Sequence, residues 1–324
     1  MAILSTPHII TLSLLDGVGN KTIQNIVEVI KVRQLTIETP YDLCDFLSMA
    51  KANKLVPRLK EYTPEEVSEK FDAAKRTIDL SLEQNIHVVT FLDDTYPLQL
   101  LKTVDEKGNP SVPIVLYYKG DISVASLPGL AVIGTREPTG EGERIGEYLA
   151  SEFASRGFNI VSGLALGCDT CGHRGALNVG GKTTAFLGHG LHTTYPPQNE
   201  NLASEILEKG GLLMSEYPIY SSLTAYNLVA RDRLQSGLSK ATLVIQTSRT
   251  GGTMHAVHST LAAQKPLYVV KYDDKDSLES VQTQGNEYLA SLPNGAKYIC
   301  ETDNIENIAN EIKNYQPFKT SLFD

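Results

Sequence analysis

The sequence lacks most of the features that mark exported or membrane-bound proteins. It contains no tryptophan, and its four cysteines in 324 residues are too few and too scattered for a disulfide framework. No apolar run approaches the roughly 20 residues that a membrane-spanning helix needs. The N-terminal segment has neither the basic start nor the cleavage site of a signal peptide. We therefore expect a cytoplasmic protein that makes no contact with a membrane.

Positive charge is also scarce. The chain carries 29 Lys and Arg residues against 38 Asp and Glu residues, which gives a formal net charge of -9. This balance argues against a protein that coats duplex DNA through bulk positive charge, but it leaves room for a local basic pocket. The hydrophobic content of 41% is that of an ordinary globular protein, and the length allows one large domain and a smaller one.

The first part of the chain, residues 1–84, is predicted to form a small helical domain. A turn of Gly17, Val18 and Gly19 precedes Lys21 and a helix with apolar residues on one face. This turn resembles a helix-hairpin-helix (SAM-like) unit, in which free backbone N–H groups at a helix N-terminus contact the DNA backbone. The same pattern also fits a simple packing corner between two helices, and both interpretations stay open.

Residues 85–314 alternate short apolar runs with helical patterns. Runs that are apolar throughout and are separated by helices indicate a parallel sheet covered on both faces. We expect an α/β fold, namely a Rossmann-like, doubly wound, mostly parallel sheet, followed by a tail over residues 315–324. The predicted strands lie at 86–92, 113–118, 130–133, 158–162, 184–188, 211–217, 241–247, 266–270 and 297–300.

Arginines and glycines follow several of these strands. Ligands of doubly wound sheets bind beyond the carboxyl ends of the strands, and the planar guanidinium group suits phosphate oxygens. Arginines gathered at this edge therefore predict an anion-binding site. After the strands, or on the helix that leads into one of them, come Gly134, Thr135, Arg136, Gly163, His173, Arg174, Arg231, Arg233, Arg249, Thr250, Gly251, Gly252 and Thr253.

Two familiar nucleotide motifs fail on inspection. The stretch GGKTT at 180–184 has Ala176 where a P-loop needs glycine, and it enters a strand rather than leaving one. Gly140, Gly142 and Gly146 are spaced one residue too widely for the dinucleotide fingerprint. We therefore expect no nucleotide cofactor.

The cysteine pair in SGLALGCDTCGHRGAL also fits no common metal or haem motif. A c-type haem needs C-x-x-C-H, but Gly172 separates Cys171 from His173. A structural zinc ion would need two further ligands, and none stands at suitable spacing. We expect no metal. A thioredoxin-like redox pair and two packing cysteines, Cys168 and Cys171, both remain open, as do a hydrogen bond at the site and a helix cap for His173.

Several segments taken together resemble one family. GTREPTGEG, SGLALGCDTCGHRGAL, LGHGLHTTYPPQN, LLMSEYP, ARDRLQSGLS and RTGGT are similar, in order and approximate spacing, to the DNA-processing protein A family (DprA/Smf). The likeness covers roughly Phe91 to Ile299. It implies a protein that binds single-stranded DNA in a basic pocket of a Rossmann-like domain, forms homodimers and loads the RecA recombinase.

The resemblance also carries site residues over onto this sequence. Gly134-Thr135-Arg136 stands for the family's Gly-Ser-Arg, which makes Arg136 the leading candidate for a phosphate contact. The full set of candidate residues for nucleic-acid or phosphate binding is Gly134, Thr135, Arg136, Ser162, Gly163, His173, Arg174, Asn199, Arg231, Arg233, Arg249, Thr250, Gly251, Gly252 and Thr253. A secondary contact with a DNA backbone would involve Gly17, Val18, Gly19 and Lys21.

The sequence departs from the family pattern at charged positions. Leu166 replaces an arginine, Asp232 replaces the asparagine of Arg-Asn-Arg, and the stretch around Asn199 offers no lysine. Each lost or offset positive charge weakens binding to a polyanion. The family's frequent C-terminal winged helix is also not expected after residue 314.

Three functions remain at this point. The first is a non-catalytic protein that binds single-stranded DNA in DNA processing and recombination, including DNA uptake. The second is a regulatory, antitoxin or anti-phage defence partner of a toxin or effector, which senses nucleic acid or a nucleotide. The third is a phosphoribohydrolase-type enzyme; it is disfavoured because RTGGTMHAVHST lacks the catalytic glutamate, leaving Glu216 as the one candidate base.

Overall fold

The computed structural model describes residues 4–316. Twelve α-helices and nine strands are formed by these residues. The helices are α1 (Thr6–Leu14), α2 (Asn20–Val32), α3 (Pro40–Ala52), α4 (Pro64–Leu82), α5 (Gly140–Ser155), α6 (Cys168–Asn178), α7 (Glu200–Glu208), α8 (Ala225–Leu238), α9 (Thr253–Ala262), α10 (Lys275–Glu279), α11 (Gln284–Ser291) and α12 (Ile305–Asn314). Of the predicted tail, residues 317–324 lie outside the described part of the chain.

The nine strands of the described chain form a single sheet. They are β1 (His87–Thr90), β2 (Val115–Gly120), β3 (Gly129–Ile133), β4 (Asn159–Ser162), β5 (Lys182–Leu187), β6 (Leu212–Ser215), β7 (Ser239–Val244), β8 (Leu267–Val270) and β9 (Lys297–Ile299). Their order in the sheet is β1-β2-β6-β5-β4-β3-β7-β8-β9. Pairs β1–β2 and β2–β6 are antiparallel and all other pairs are parallel. The predicted mostly parallel α/β sheet is therefore confirmed.

The path of the chain reverses direction beside β3. From β3 the chain moves outward through β4, β5 and β6, and α8 then returns it to the other side of β3, where β7 pairs. Residues just beyond the ends of β3, β4 and β7 thus meet at one edge around a topological switch point. Crevices at such points are where doubly wound sheets bind ligands. The topology selects this edge, named here the carboxyl edge, as the place to look for a site.

Helices cover both faces of the sheet because alternate residues of each strand enter opposite cores. In β3, Leu130 and Val132 pack with residues of α5 and α12, whereas Ala131 and Ile133 pack with residues of α9 and α11. Every residue of β3 and β4 is buried. This two-sided burial explains why these strands are apolar throughout rather than alternating with polar residues.

The helical segment α1–α4 packs onto the lead-in to β2. The apolar stripe of α2 is fully buried, as its spacing predicts. The apolar core that it enters also contains Val112 and Ile114 from the segment before β2. The side chain of Asn20 at the start of α2 donates a hydrogen bond to the carbonyl of Val112. The boundary between residues 84 and 85 stays a prediction, because one apolar core continues across it.

No helix within residues 4–316 combines the length and the apolar character that crossing a bilayer would require.

Lys265 anchors the C-terminal end of α8. Its ammonium group donates hydrogen bonds to the carbonyls of Ser236, Gly237 and Ser239 at 2.6, 3.0 and 2.7 Å. These carbonyls lie where a helix has unpaired acceptors and the negative end of its dipole. Lys265 therefore fixes the helix that lies behind the switch point.

We expect Lys265→Met to lower the free energy of unfolding by about 2 kcal/mol, because three carbonyls lose their hydrogen-bond donor. Urea denaturation measures the change. Lys31→Met, which removes an exposed lysine of α2, is the matched control and should leave the urea midpoint unchanged. Equal effects of the two substitutions would contradict the anchoring role of Lys265.

Candidate anion-binding cleft

A cleft of about 420 Å³ opens at the topological switch point, and it is named here the switch-point cleft. Its walls are the loop after β3, the start of α6, the middle of α8, and the turn between β7 and α9. Of the candidate residues, the lining includes Gly134, Thr135, Arg136, Arg231, Gly251, Gly252 and Thr253. Residues from four distant stretches of sequence therefore meet in one crevice at the expected edge.

Arg231 is the most enclosed charged group of the cleft. Its side chain is only 7% exposed, with Nη2 4.0 Å from the carboxylate of Asp169 and Nε 3.3 Å from that of Asp232. Among the described residues, Nε and Nη1 nevertheless have no hydrogen-bond partner. A buried donor without an acceptor costs roughly 1–3 kcal/mol. The guanidinium group therefore retains two enclosed donors that no acceptor in the described chain satisfies.

Gly163 makes room for this guanidinium. A Cβ atom at Gly163 would lie 1.8 Å from Nη1 of Arg231, so a side chain there would displace the arginine. Gly167, with a φ of +73°, has the left-handed backbone that suits glycine, and a Cβ there would lie 2.5 Å from the carbonyl oxygen of Thr135. The two glycines thus allow the loop after β4 to pack closely against Arg231 and the loop after β3.

The turn before α9 adds backbone donors to the cleft. Gly252 is the N-cap residue of α9 and offers no side chain to cap the helix, and Gly251, Gly252 and Thr253 all line the cleft. The first N–H groups of a helix lack intrahelical partners and carry a partial positive charge. Such an N-terminus is suited to a phosphate group.

Arg136 stands at the mouth of the cleft. It follows Thr135 at the end of β3, its side chain is exposed, and it makes none of the ion pairs found within residues 4–316. Its guanidinium is therefore accessible to solvent. Arg136 and Arg231 are placed to contact an anion from the mouth and from the floor, respectively.

Carboxylates offset these positive charges. Asp169, Asp232 and Glu137 also line the cleft. Burial raises the pKa of Asp232 to about 6, and the nearby Asp169 adds to this rise, although Arg231 and Arg136 oppose it. The charge of the cleft consequently changes with pH near 6, since Asp232 gains a proton below that value.

The structure corrects the expectation for Arg233. Its side chain leaves α8 away from the cleft and forms a two-pronged ion pair with Glu216, with both N–O distances at 2.7 Å. Its Nε donates a hydrogen bond to the hydroxyl of Ser111. Glu216, the candidate base, is occupied by this pair.

Two residues along an α-helix are separated by about 200° of rotation, so the side chains of Arg231 and Arg233 leave α8 on nearly opposite sides. This geometry is the physical reason why only one of the two arginines reaches the cleft.

His173 is a second correction, because it lies beneath the site rather than at its rim. The imidazole is fully buried, and burial lowers its pKa, so the ring is neutral. Its Nε2–H donates to the carbonyl of Gly163 at 2.5 Å, and its Nδ1 accepts from the hydroxyl of Thr183 at 2.7 Å. His173 therefore holds the strand end that leaves room for Arg231, and it is not accessible to a ligand.

Asn199 and Ser162 also support the cleft from within. The buried amide of Asn199 donates to the carbonyls of Leu164 and Ala165 at 2.9 and 3.1 Å, and Ala165 lines the cleft. The hydroxyl of Ser162 donates to the carbonyl of Val132 at 2.6 Å, which ties β4 to β3. Both residues position backbone, so the expectation that they contact the ligand is corrected.

Three further candidate residues lie outside the cleft lining. Arg174 is exposed on α6, and the guanidinium of Arg249 lies over the ring of Tyr288, 5.7 Å from its centroid. Thr250 is exposed in the turn beside Gly251. A ligand longer than the cleft could still meet these residues, and their binding roles stay predictions.

The sequence interpretation missed several residues that line the cleft. These residues are polar, and no motif or spacing in the sequence identifies them as part of a site. They are Glu137, Asp169, Gln235, Thr247, Ser248 and Gln282. One feature of the sequence could have pointed to polar residues here. Gln246 is buried just after β7, and a polar side chain at the end of an apolar strand needs hydrogen-bond partners. Its amide oxygen accepts from the backbone N–H of Thr139, and its amide nitrogen donates to the hydroxyl of Thr139.

The cysteines pack in the core. Cys168 and Cys171 are both buried, and burial raises the pKa of the Cys171 thiol to about 12 and that of Cys168 well above its usual value. A thiol needs a lowered pKa to react as a thiolate, so the packing interpretation is favoured over the redox interpretation. Among residues 4–316, no group of three or more His, Cys, Asp and Glu side chains could hold a metal ion.

The N-terminal turn has part of the predicted geometry. Gly17 has a φ of +79°, and Gly19 is the N-cap residue of α2 without a side-chain cap. Val18 is buried in the helical core, however, and is not accessible to DNA. Lys21 is exposed on α2. The contact of this turn with a DNA backbone stays a prediction.

Asp232 generates a prediction about stability. Its pKa of about 6 in the folded protein lies above the 3.8 of an ordinary aspartate, so the folded state binds more protons than the unfolded state between these values. The stability contributed by protonated Asp232 is therefore lost as the pH rises through about 6. We expect Asp232→Asn to raise the free energy of unfolding at neutral pH by about 2 kcal/mol and to have little effect near pH 4.

Urea titrations across this pH range measure the difference between variant and wild type. Asp45→Asn, which removes an exposed carboxylate of α3, is the matched control and should follow the wild-type profile. If the curves for Asp232→Asn and wild type run parallel from acid to neutral pH, Asp232 does not titrate as expected.

Comparison with known proteins places the chain in one family. The family model for DNA recombination-mediator protein A matches residues 87–312. Protein Smf of Escherichia coli (strain K12) is 35% identical over 200 residues, which cover 60% of this chain and 52% of that protein. DNA processing protein DprA of Bacillus subtilis (strain 168) is 28% identical over 206 residues, which cover 63% of this chain and 67% of that protein.

Two structures are also similar. The X-ray structure of DNA processing protein A from Streptococcus pneumoniae matches with a TM-score of 0.72 at 24% identity, over 91% of this chain and 95% of that one, and shows the fold. The structure that describes the single-stranded DNA binding mode of DNA processing protein A from Helicobacter pylori matches with a TM-score of 0.58 at 29% identity, over 71% and 97%.

The matched region spans about half of the Smf proteins: 52% of the Escherichia coli protein and 42% of the Synechocystis protein. The region that matches the family model, residues 87–312, contains every strand of the sheet and the residues that line the switch-point cleft. The family suggested by the motifs is therefore confirmed: the chain belongs to the DNA recombination-mediator protein A family, which includes the DprA and Smf proteins.

Proposed function

We propose that this chain binds single-stranded DNA at the switch-point cleft and acts in DNA processing. The observation that carries the proposal is the buried guanidinium of Arg231, which has two donors without a partner among the described residues. Arg136 at the mouth and the N-terminus of α9 add further donors for phosphate oxygens. A relative whose structure describes single-stranded DNA binding supports the same ligand.

The geometry favours a single strand over a duplex. The phosphate-binding groups line a crevice rather than a broad positive surface, and the chain as a whole carries a net charge of -9. A flexible single strand can place one phosphate inside such a crevice, whereas a rigid duplex needs an extended cationic face. Homodimer formation and loading of RecA, both implied by the family resemblance, belong to the same proposal.

A second candidate is a small nucleotide as the ligand, as the regulatory interpretation requires. The cleft volume of about 420 Å³ lies within the range of small-molecule pockets. The carboxylates of Asp169 and Asp232 also reduce the attraction for a polyanion without preventing contacts to one phosphate. Competition by free mononucleotides in the binding experiment below separates this candidate from single-stranded DNA.

We expect Arg136→Ala to weaken binding of an oligothymidylate and to reduce the slope of log Kd against log salt concentration by about 1, because one phosphate contact is lost. Fluorescence anisotropy at several salt concentrations measures both quantities. The matched control is Arg76→Ala, which removes an exposed arginine of α4 far along the chain from the cleft. Unchanged binding by Arg136→Ala, or no binding by wild type, would overturn the proposal.

Asp232 should also make DNA binding depend on pH. Because the pKa of Asp232 is about 6, the cleft loses a negative charge as the pH falls through that value. We expect oligothymidylate binding by wild type to strengthen over this range by roughly threefold to tenfold. Asp232→Asn should bind at neutral pH as tightly as wild type does in acid, with little pH dependence.

Anisotropy titrations at several pH values test this expectation, with Asp45→Asn as the control for a change of net charge. Thymine does not titrate near pH 6, so the ligand contributes no change of its own. A pH dependence that persists unchanged in Asp232→Asn would show that another group is responsible.

A further inference from the structure

Two exposed tyrosines lie at or just before the N-terminal end of α8, the helix that carries Arg231, and neither of them lines the switch-point cleft. Tyr226 in the first turn of α8 is 79% exposed, and Tyr220 in the loop between β6 and α8 is 57% exposed. Water-exposed aromatic rings of this size cost solvation free energy, and the sequence contains only 7% aromatic residues. Two such rings within seven residues at the carboxyl edge are therefore worth explaining.

Tyr220 is held in place by its surroundings. Its backbone N–H donates to Nδ1 of His192 at 3.2 Å, and the two rings pack edge to face with centroids 5.1 Å apart. Its hydroxyl accepts a hydrogen bond from the amide of Gln84. Its φ of +67° makes it the one aromatic residue with a left-handed backbone in the part of the chain that the structure describes. The ring is thus fixed in position while more than half of it stays open to solvent.

Tyr226 lies in the first turn of α8, the helix that forms one wall of the cleft. Val229, one helical turn further along α8, lines the cleft and shares a face of the helix with Tyr226. Arg231 follows Tyr226 by five residues, a distance of about 7.5 Å along the helix axis. A stacked strand advances about 3.4 Å per nucleotide, so two nucleotides span this distance. The two side chains leave α8 about 140° apart around its axis, so a strand with a phosphate at Arg231 reaches Tyr226 by passing over the N-terminal end of the helix.

The surface around the tyrosines does not repel a polyanion. Residues 217–230 contain no Asp, Glu, Lys or Arg, and neither does the loop of residues 188–199, although the chain as a whole is acidic. The hydroxyl of Ser215 at the end of β6 donates to the carbonyl of His189, which joins the two uncharged loops. Glu216, the carboxylate next to this surface, is neutralised by Arg233.

We propose that Tyr226 and Tyr220 form a base-stacking surface that extends the switch-point cleft. Its occupant is the row of nucleobases in a single strand whose phosphate is bound at Arg231 and Arg136. Stacking on tyrosine requires unpaired bases but no particular sequence, because every base has an aromatic face. This proposal rests on the proposed function, and it adds the reason why the ligand is a single strand rather than a lone nucleotide.

The test compares variants and two oligonucleotides by fluorescence anisotropy. We expect Tyr226→Ala to weaken binding of an oligothymidylate about tenfold and the double variant with Tyr220→Ala to weaken it further. Tyr226→Phe, which keeps the ring, should bind as wild type does. Tyr41→Ala removes a tyrosine of α3 that is 59% exposed, and it is the matched control.

An abasic oligonucleotide of the same length separates this proposal from the proposed function. Wild type should bind it about as weakly as the double variant binds oligothymidylate, and neither tyrosine substitution should weaken its binding further. If wild type binds neither oligonucleotide, the proposed function itself fails. If wild type and both tyrosine variants bind oligothymidylate with the same affinity, the proposal of a stacking surface is contradicted, while the proposal of binding at the cleft is not.

Discussion

The burial of one guanidinium group beside two carboxylates is the constraint on which the cleft depends. Removing Arg231, Asp169 and Asp232 from water is costly, and the contacts among them repay the cost only in part. The pKa of Asp232 rises in response, and donors of Arg231 remain without acceptors in the described chain. The positive charge of Arg231 is therefore incompletely balanced, and an anion bound in the cleft would lower the electrostatic cost of its burial.

Much of the surrounding structure serves to hold this group in place. Gly163 leaves the space that Arg231 fills, and His173 fixes the backbone of Gly163 from the core. Lys265 secures the far end of α8, the helix that carries Arg231 and Tyr226. These residues act through position rather than through contact with a ligand. Substituting any of them would therefore alter binding by moving Arg231. Arg136 differs from them because it is placed to contact an anion directly.

The acidic character of the chain and its proposed ligand are compatible because the relevant charges are local. Asp232 stands where the family pattern has asparagine, and it lowers the attraction for phosphate when it is ionised. Glu216 would do the same beside the tyrosines, but Arg233 pairs with it. Uncharged loops and aromatic rings then allow part of the binding free energy to come from stacking, which does not depend on net charge.

The sequence by itself determined the class of fold and the edge of the sheet that carries the site. Nine apolar runs separated by helices correspond to the nine strands, because burial on both faces leaves the same pattern in any parallel sheet. The placement of Gly134, Thr135, Arg136 and Arg231 after or between strands pointed to the switch point for the same reason. Tertiary structure alone decided which arginine faces the cleft, that His173 and Asn199 are buried, and that Asp169 and Asp232 share the site. Side-chain direction and burial depend on residues far apart in the chain, and no local pattern of sequence encodes them.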